Sequence, residues 1–308
     1  MKKKIWGFVL IVAAMLALSA CSSNNEKSSG KKENDKVVDI ALDQNFVTLD
    51  PHNAGDTVSI MGTRAMYEGL VGFDKDMNVV PVLAEKYEVS EDALTYTFKL
   101  REGVTFHDGE PFNAEAVKAN YDRIMDDSKN LRAKRNFLYV ESMEVVSDYE
   151  VKFKLNQPFS AMLNKFAMVL MVSPKAISDE SKDLAMNPVG TGQFKFSKWN
   201  QGDSLELVKY DEYWDKDSSN VEKVVFKPVP ENGSRTAMLK TGEADFVYPV
   251  PQQSVKDFKE NKNVKIKETQ STIARYVSIN TFKEPFNNEK VRKAMNYAVN
   301  KDAYMKVV

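Results

Sequence analysis

The stretch that decides the fold is residues 94–124, which read LTYTFKLREGVTFHDGEPFNAEAVKANYDRI. Apolar and polar side chains alternate from Leu94 to Leu100, which is the period of a strand with one buried face. Residues 101–103 and 108–109 predict turns, because glycine adopts positive φ without steric cost. The three residues 104–106 between these turns predict a second short strand.

The same stretch ends in a predicted helix. Asn113 is placed to cap it, and Glu115 lies in the first turn, where a negative charge is favourable. Val117, Tyr121 and Ile124 follow at helical spacing and predict its buried face. Residues 94–124 therefore predict a strand, turn, strand and helix unit at the edge of a mixed α/β domain.

The remaining chain alternates between predicted strands and helices and shows no internal repeat. We expect strands at residues 37–42, 143–146, 151–155, 194–196, 205–209, 221–229, 244–248, 264–268 and 275–280, and a hairpin at 69–78. We expect helices at 57–68, 159–171, 232–241 and 255–260, and one that begins at Asn288 with Val291, Ala294, Met295, Ala298 and Val299 on one face. The helix at 232–241 is predicted to bury Ala237 and Met238 and to end at Gly242.

Composition limits the possible functions. The 308 residues are 43% hydrophobic and 28% charged, with a formal net charge of −1, which is typical of a globular protein. Removing residues 1–20, which contain three lysines and no acidic residue, lowers the charge to −4. We expect no nucleic-acid partner, because none of the sequence forms a clustered basic face. With His52, His107 and Cys21 as the chain's histidines and cysteine, a metal cluster of His and Cys is excluded.

The N-terminus has the pattern of an export signal. Three lysines precede an apolar run at residues 5–17 that is short for a bilayer span. Residues 18–21, LSAC, then resemble the lipidation site of bacterial lipoproteins, which predicts a signal peptide at 1–20 and a lipid on Cys21. The alternative is a plain secretory signal with an incidental cysteine. Residues 21–36 predict a flexible tether, so we expect an exported protein anchored to the outer face of the cell membrane, extracellular or periplasmic.

The sequence motifs do not support a catalytic function. Residues 190–192, GTG, resemble part of a phosphate loop, but neither the lysine nor the helix that should follow is present. His107 and Asp108 lie in a predicted tight turn with no nucleophile nearby in sequence. Asp50 and His52 lack further metal ligands. We therefore predict a protein that is not an enzyme and has neither cofactor nor metal.

The sequence gives more support to a ligand-binding function. Arg132 and Arg135 follow the helix of the deciding stretch, and Arg275 precedes Tyr276 in a predicted strand. Arginine in a cleft holds carboxylates through two parallel hydrogen bonds. Tyr248, Tyr276 and the loop around Trp214 could supply aromatic walls. The alternative is that each arginine is a solvated surface charge.

The deciding stretch also resembles the signature of the family 5 extracellular solute-binding proteins, the oligopeptide, dipeptide, nickel and glutathione receptors of ABC importers. The resemblance continues in residues 48–51 (TLDP), 66–70 (MYEGL), 83–90 (LAEKYEVS), 187–194 (NPVGTGQF), 242–245 (GEAD), 276–280 (YVSIN) and 285–294. The chain is most similar to the glutathione-binding branch in residues 54–57 (AGDT), 156–161 (NQPFSA), 235–244 and 248–251 (YPVP).

The resemblance implies a two-lobe, periplasmic-binding-protein-like α/β fold of type II, the peptide-binding class. Lobe I would span residues 37–282 and lobe II would begin at 283–308, with the C-terminal part apparently missing. Resemblance to the nickel-binding branch implies ligand contacts near residues 55–60, where Asp56 and Thr57 are the candidates, and near Arg132 and Arg135. The implied function is capture of a small peptide, such as glutathione, by a monomer that delivers it to ABC permease subunits.

Two alternatives stay open at this stage. One is a receptor for other peptides, dipeptide or oligopeptide, or for a nickel chelate. The other is an exported hydrolase or a surface-interaction lipoprotein.

Overall fold

The computed structural model describes residues 36–268 and 276–305. The strands are β1 (Val37–Leu42), β2 (Val71–Phe73), β3 (Val79–Pro81), β4 (Ala84–Val89), β5 (Thr95–Leu100), β6 (Val140–Ser147), β7 (Glu150–Leu155), β8 (Phe194–Asn200), β9 (Ser204–Lys209), β10 (Lys223–Pro228) and β11 (Phe246–Tyr248). The helices are α1 (Thr57–Met66), α2 (Ala114–Met125), α3 (Met162–Phe166), α4 (Pro174–Ser178), α5 (Asn232–Thr241), α6 (Val255–Glu260), α7 (Glu289–Ala298) and α8 (Lys301–Met305). Single-turn 3₁₀ helices lie at Asp127–Lys129 and Gln252–Ser254, and a longer one at Arg132–Phe137.

The described residues form a five-stranded, a four-stranded and a two-stranded sheet. The five strands run in the order β11-β1-β10-β9-β8, with β1 parallel to both of its neighbours and β9 antiparallel to β10 and β8. The four-stranded sheet is antiparallel, in the order β4-β5-β7-β6. The two-stranded sheet pairs β2 with β3. The prediction of a mixed α/β architecture is confirmed.

The deciding stretch folds as expected at both ends. In β5, Tyr96, Phe98 and Leu100 are buried while Lys99 is exposed. The Asn113 side chain caps α2 by accepting a hydrogen bond from the Ala116 amide at 3.0 Å. The predicted strand at 104–106 is wrong, because only an isolated bridge between residues 105 and 111 forms there.

Each large sheet covers its own hydrophobic core. Beneath the four-stranded sheet, the rings of Phe98 and Phe153 lie 5.0 Å and 4.8 Å from that of Phe166. A second core packs α1 against the five-stranded sheet, around Leu42 and Leu205. Full burial of such a side chain stabilises a fold by about 1.5–3 kcal/mol, so these two cores fix the frame that carries the loops.

Other sequence predictions are wrong. The helix expected at 159–171 is reduced to α3, although its apolar residues are core as predicted. No strand forms at 264–268 or at 276–280. In α5, Ala237 is exposed, and Arg235 and Thr236 are buried in its place. The C-cap at Gly242 is confirmed, with φ of +77°.

Residues 276–304 bury no side chain against the described part of the chain. Asn288 caps α7 as predicted, but the predicted apolar face is open, and Met295 and Val299 are 39% and 57% exposed. Within residues 36–268 and 276–305, none of the helices combines the length and the apolar character needed to cross a bilayer.

Candidate ligand-binding site

A buried ion pair lies beneath the loop that leaves β1. The Arg123 guanidinium donates two parallel hydrogen bonds to Asp50, from Nη2 to Oδ2 at 2.7 Å and from Nη1 to Oδ1 at 3.2 Å. Both side chains are at least nine-tenths buried. Burial makes such a pair strongly dependent on both members, because loss of either leaves an uncompensated charge in the interior.

His52 belongs to the same buried network. Its Nδ1 accepts a hydrogen bond from Arg123 Nη1 at 2.5 Å, and its Nε2 donates to the Leu170 carbonyl at 2.9 Å. Burial lowers the pKa of His52 to about 4, so the ring is neutral with its proton on Nε2 at physiological pH. Arg123 therefore holds both Asp50 and the histidine two residues later.

This network connects two surface segments. The His52 carbonyl accepts a hydrogen bond from the Ala133 amide at 2.9 Å, which joins the loop after β1 to the 3₁₀ helix Arg132–Phe137. Further along the loop, the Asp56 side chain caps α1 by accepting a hydrogen bond from the Ser59 amide at 2.9 Å. The start of α1 and the 3₁₀ helix are thus fixed side by side.

A recess of about 50 Å³ lies between these segments. Its walls come from the loop after β1, from α1, from the 3₁₀ helix and from residues 168–170. Arg132 and Arg135 both line it, and the Arg132 guanidinium packs so closely on Gly55 that a Cβ there would lie 2.6 Å from Nη1. Among the described residues no carboxylate lines the recess.

The predicted site residues separate into two groups. Arg132 and Arg135 line the recess, while Asp56 and the exposed Thr57 begin the helix that forms one of its walls. Neither tyrosine lines it: Tyr248 ends β11 and packs against the core of the five-stranded sheet, and Tyr276 is 83% exposed. Arg275 and Cys21 lie outside the described residues.

Sequence reasoning missed the residues that support this site. Arg123 was read as part of a helix, Asp50 as part of a family motif, and Asp50 with His52 as a poor metal site. The available signal was a spacing: Arg123 follows Asn120 by three residues, nearly one helical turn, so the two share a face, and in the fold Asn120 is buried. Within the described residues, no group of histidine, cysteine or acidic side chains is arranged to hold a metal ion.

His107 and Asp108 do not form a catalytic pair. His107 Nε2 donates to the Gly192 carbonyl at 2.8 Å, and burial lowers the pKa of His107 to about 4. Asp108 Oδ2 accepts a hydrogen bond from Ser173 Oγ at 2.6 Å. The two side chains therefore hold different segments. Gly192 and its neighbour Gly190 pack on the backbone at the end of α1, which explains the GTG motif without a phosphate.

A larger groove of about 330 Å³ lies beside His107 and Asp108. Two of its three lysines are balanced by acids: Lys182 lies 3.5 Å from Asp179, and Lys175 lies 4.0 Å from Glu110. The groove contains none of the predicted binding residues, so the smaller recess is the better candidate for a charged ligand.

Comparison with solved structures defines the class of this protein. The periplasmic binding protein DppA from Helicobacter pylori, in complex with the peptide STSA, superposes with a TM-score of 0.80 at 30% identity, covering 88% of this chain and 58% of that one. NikZ from Campylobacter jejuni, in complex with Ni(L-His), superposes with a TM-score of 0.79 at 27% identity, covering 88% and 55%. The fold is that of the type II periplasmic peptide-binding proteins.

Sequence comparison then gives the family. The profile of the bacterial extracellular solute-binding proteins, family 5 Middle, matches residues 78–308, and the chain belongs to this family. It is 42% identical over 270 residues to the glutathione-binding protein GsiB of Pectobacterium atrosepticum, covering 87% of this chain and 52% of that protein. It is 43% identical over 274 residues to GsiB of Salmonella typhi, covering 88% and 54%. The chain spans about half the length of the curated relatives it matches.

Proposed function

We propose that this protein is the substrate-binding component of an ABC importer, that it captures glutathione, and that it delivers the peptide to the membrane permease. The observation that carries the proposal is the 42–43% identity with glutathione-binding proteins over 87–88% of the chain. The recess adds support, because glutathione carries two carboxylates and the two predicted arginines of the recess have no ion pair within the described residues.

The proposal has an architectural part. Residues 37–282 form lobe I, and lobe II begins at residue 283. Ligand binds between the lobes, and closure is favoured by contacts made only in the closed state. The open apolar face of α7 supports this division, because Met295 and Val299 find no cover in lobe I. The receptor acts as a monomer, without catalysis.

The proposal also includes the location. Residues 1–20 are removed on export, and a lipid on Cys21 holds the receptor at the outer face of the membrane through the tether at 21–36. Mass spectrometry of the membrane-extracted protein tests this. A Cys21→Ser variant should be released into the soluble fraction, and a variant that stays bound to membranes would contradict the anchor.

Calorimetric titration of the complete protein with glutathione, beside a panel of dipeptides, tests the ligand. We expect micromolar or tighter binding that is selective for glutathione. A response to dipeptides without one to glutathione would favour the second candidate, a general peptide receptor, which the 30% identity to a peptide-bound DppA supports. If neither glutathione nor the dipeptides gave a heat of binding, both candidate functions would be rejected, and nickel chelates would be titrated next.

The predicted arginines give a second test. Arg132→Ala and Arg135→Ala should each weaken glutathione binding by about 1.5–3 kcal/mol, the value of a hydrogen-bonded contact to a charged group. Lys129→Ala removes the same charge from an exposed position nearby and should leave affinity unchanged. Unchanged affinity in both arginine variants would remove these residues from the site.

A further inference from the structure

A third arginine lies on the recess that Arg132 and Arg135 line. Arg64 is in the last turn of α1, and its side chain lines the same recess as the two arginines of the 3₁₀ helix. Its Nη2 donates to the Ala167 carbonyl at 3.2 Å and to Met168 Sδ at 3.6 Å, and its guanidinium carbon lies 6.0 Å from the centre of the Phe73 ring. These contacts orient the guanidinium and leave its charge without an acidic partner in the described part of the chain.

None of the three arginines of the recess has an acidic partner within the described residues, whereas the cations next to them do. Arg123 is paired with Asp50, and Lys134, between the two arginines of the 3₁₀ helix, is paired with Asp127. Three arginine side chains thus line one small recess, and none of the described carboxylates lines it. A concave site lined by charges of one sign attracts ligands of the opposite sign.

The size of the recess limits what can enter it. The recess is small, about 50 Å³, and open to solvent, so we expect it to hold one carboxylate group while the rest of a peptide lies outside it. Thr63 and Asn136 also line it and offer hydrogen bonds beside the guanidinium groups. Three positive charges around one singly charged group leave an excess, which a second anionic group at the mouth would neutralise.

We propose that Arg64 completes a three-arginine anion site with Arg132 and Arg135, and that this site selects small ligands with two carboxylates over neutral peptides. The inference rests on the proposed function, because it names the class of peptide that the receptor takes. Arg64 contacts the ligand directly. Its fork of donors reaches from α1 toward a carboxylate held on the other side by the 3₁₀ helix.

The first experiment tests the anion site without a peptide. Thermal unfolding of the complete protein is followed in inorganic phosphate and in chloride at equal ionic strength. We expect phosphate to raise the melting temperature of the wild type, because a ligand that binds the folded state stabilises it. Arg64→Gln should lose most of this increase, and Lys129→Gln, which loses the same charge elsewhere, should keep it. A wild type indifferent to phosphate, or an Arg64→Gln variant that keeps the full increase, would overturn the proposal.

The second experiment tests selection. Affinities are measured by calorimetry for glutathione and for its glycine monoamide, which lacks one carboxylate. We expect the wild type to prefer glutathione, and Arg64→Gln to weaken glutathione binding about tenfold or more while reducing the preference. Arg64→Lys, which keeps the charge without the fork, should recover part of the affinity. Equal loss for both ligands would overturn selection by this site. Failure of the wild type to bind either ligand would reject the proposed function, and the phosphate result would then decide the anion site alone.

Discussion

His52, which is buried, and His107, which is half-buried, predict that this protein loses stability in mild acid. His52 and His107 are the chain's histidines, and burial lowers the pKa of each to about 4 from an ordinary value of 6.5. Between these pH values the two histidine rings bind protons in the unfolded chain but not in the folded chain. The free energy of unfolding therefore falls as pH drops below 6.5, and it levels off below pH 4.

The magnitude follows from the two pKa values. One pKa unit corresponds to about 1.4 kcal/mol, and at pH 5 each histidine lowers the free energy of unfolding by about 2 kcal/mol relative to pH 7.5. The pair therefore lowers it by about 4 kcal/mol, a large fraction of the 5–15 kcal/mol typical of a folded domain.

One buried carboxylate opposes this change. Burial raises the pKa of Glu68, although Tyr213, Trp214 and Thr191 donate hydrogen bonds to it. A raised carboxyl pKa favours the folded state at low pH, and this contribution is lost as pH rises through the folded-state value. The net slope between pH 6.5 and 5 should still follow the histidines, because two histidine rings act against one carboxyl group.

Urea unfolding at pH 7.5, 6 and 5 measures the effect, and NMR titration of the two histidine rings assigns it. We expect neither ring to titrate above pH 5 in the folded protein. His52→Gln and His107→Gln should each remove about half of the pH dependence, whatever they do to stability at pH 7.5. A ring that titrates near pH 6.5 in the folded state, or equal stability at pH 7.5 and 5, would refute the reasoning.

Three substitutions and one control test packing and positioning. Asn120→Ala should lower the free energy of unfolding by about 3 kcal/mol, because it leaves the buried amide and carbonyl of Val172, both at 2.8 Å from the side chain, without partners; urea unfolding measures this. Gly190→Ala should cost more than about 1–3 kcal/mol, since its Cβ would lie 2.2 Å from a backbone oxygen, whereas Gly233→Ala meets nothing within 4 Å and should be neutral or stabilising. Gly55→Ala should leave urea unfolding nearly unchanged but weaken glutathione binding several-fold in calorimetry, by displacing the guanidinium that packs on it; full affinity would contradict that contact's role.

Local patterns were enough to predict the elements that combine two independent signals. The strand β5 has strict alternation and a following turn, and α2 has a cap, an acidic first turn and an apolar face, so both were found. The helix expected at 159–171 had apolar residues without a cap or a consistent period. In the fold those residues form α3, a turn and an isolated bridge, and they contribute to both hydrophobic cores. A continuous apolar run indicates burial but does not determine backbone conformation.

The candidate site was predictable only in part, because some of its residues lie far apart along the chain. Arg132 and Arg135 belong to one short segment, so the sequence suggested them together. Arg64 lies about seventy positions earlier, and only the fold brings it to the same recess. Tyr248 and Tyr276 were chosen for their chemistry alone, and nothing in their sequence context tied them to the arginines. They remain predictions for a cleft that includes more than this recess.

The buried network explains how three unpaired guanidinium groups can be held together. Each of the two segments that carry them is tied to a common anchor: Asp50 and Arg123 neutralise each other in the interior, and the carbonyl of His52 holds the amide of Ala133. The network therefore fixes the backbone segments from which the three arginines extend. A site arranged in this way keeps its donors oriented before the ligand arrives, which reduces the ordering cost of binding. Under the proposed function, Asp50 and Arg123 should therefore influence glutathione affinity although neither side chain lines the recess.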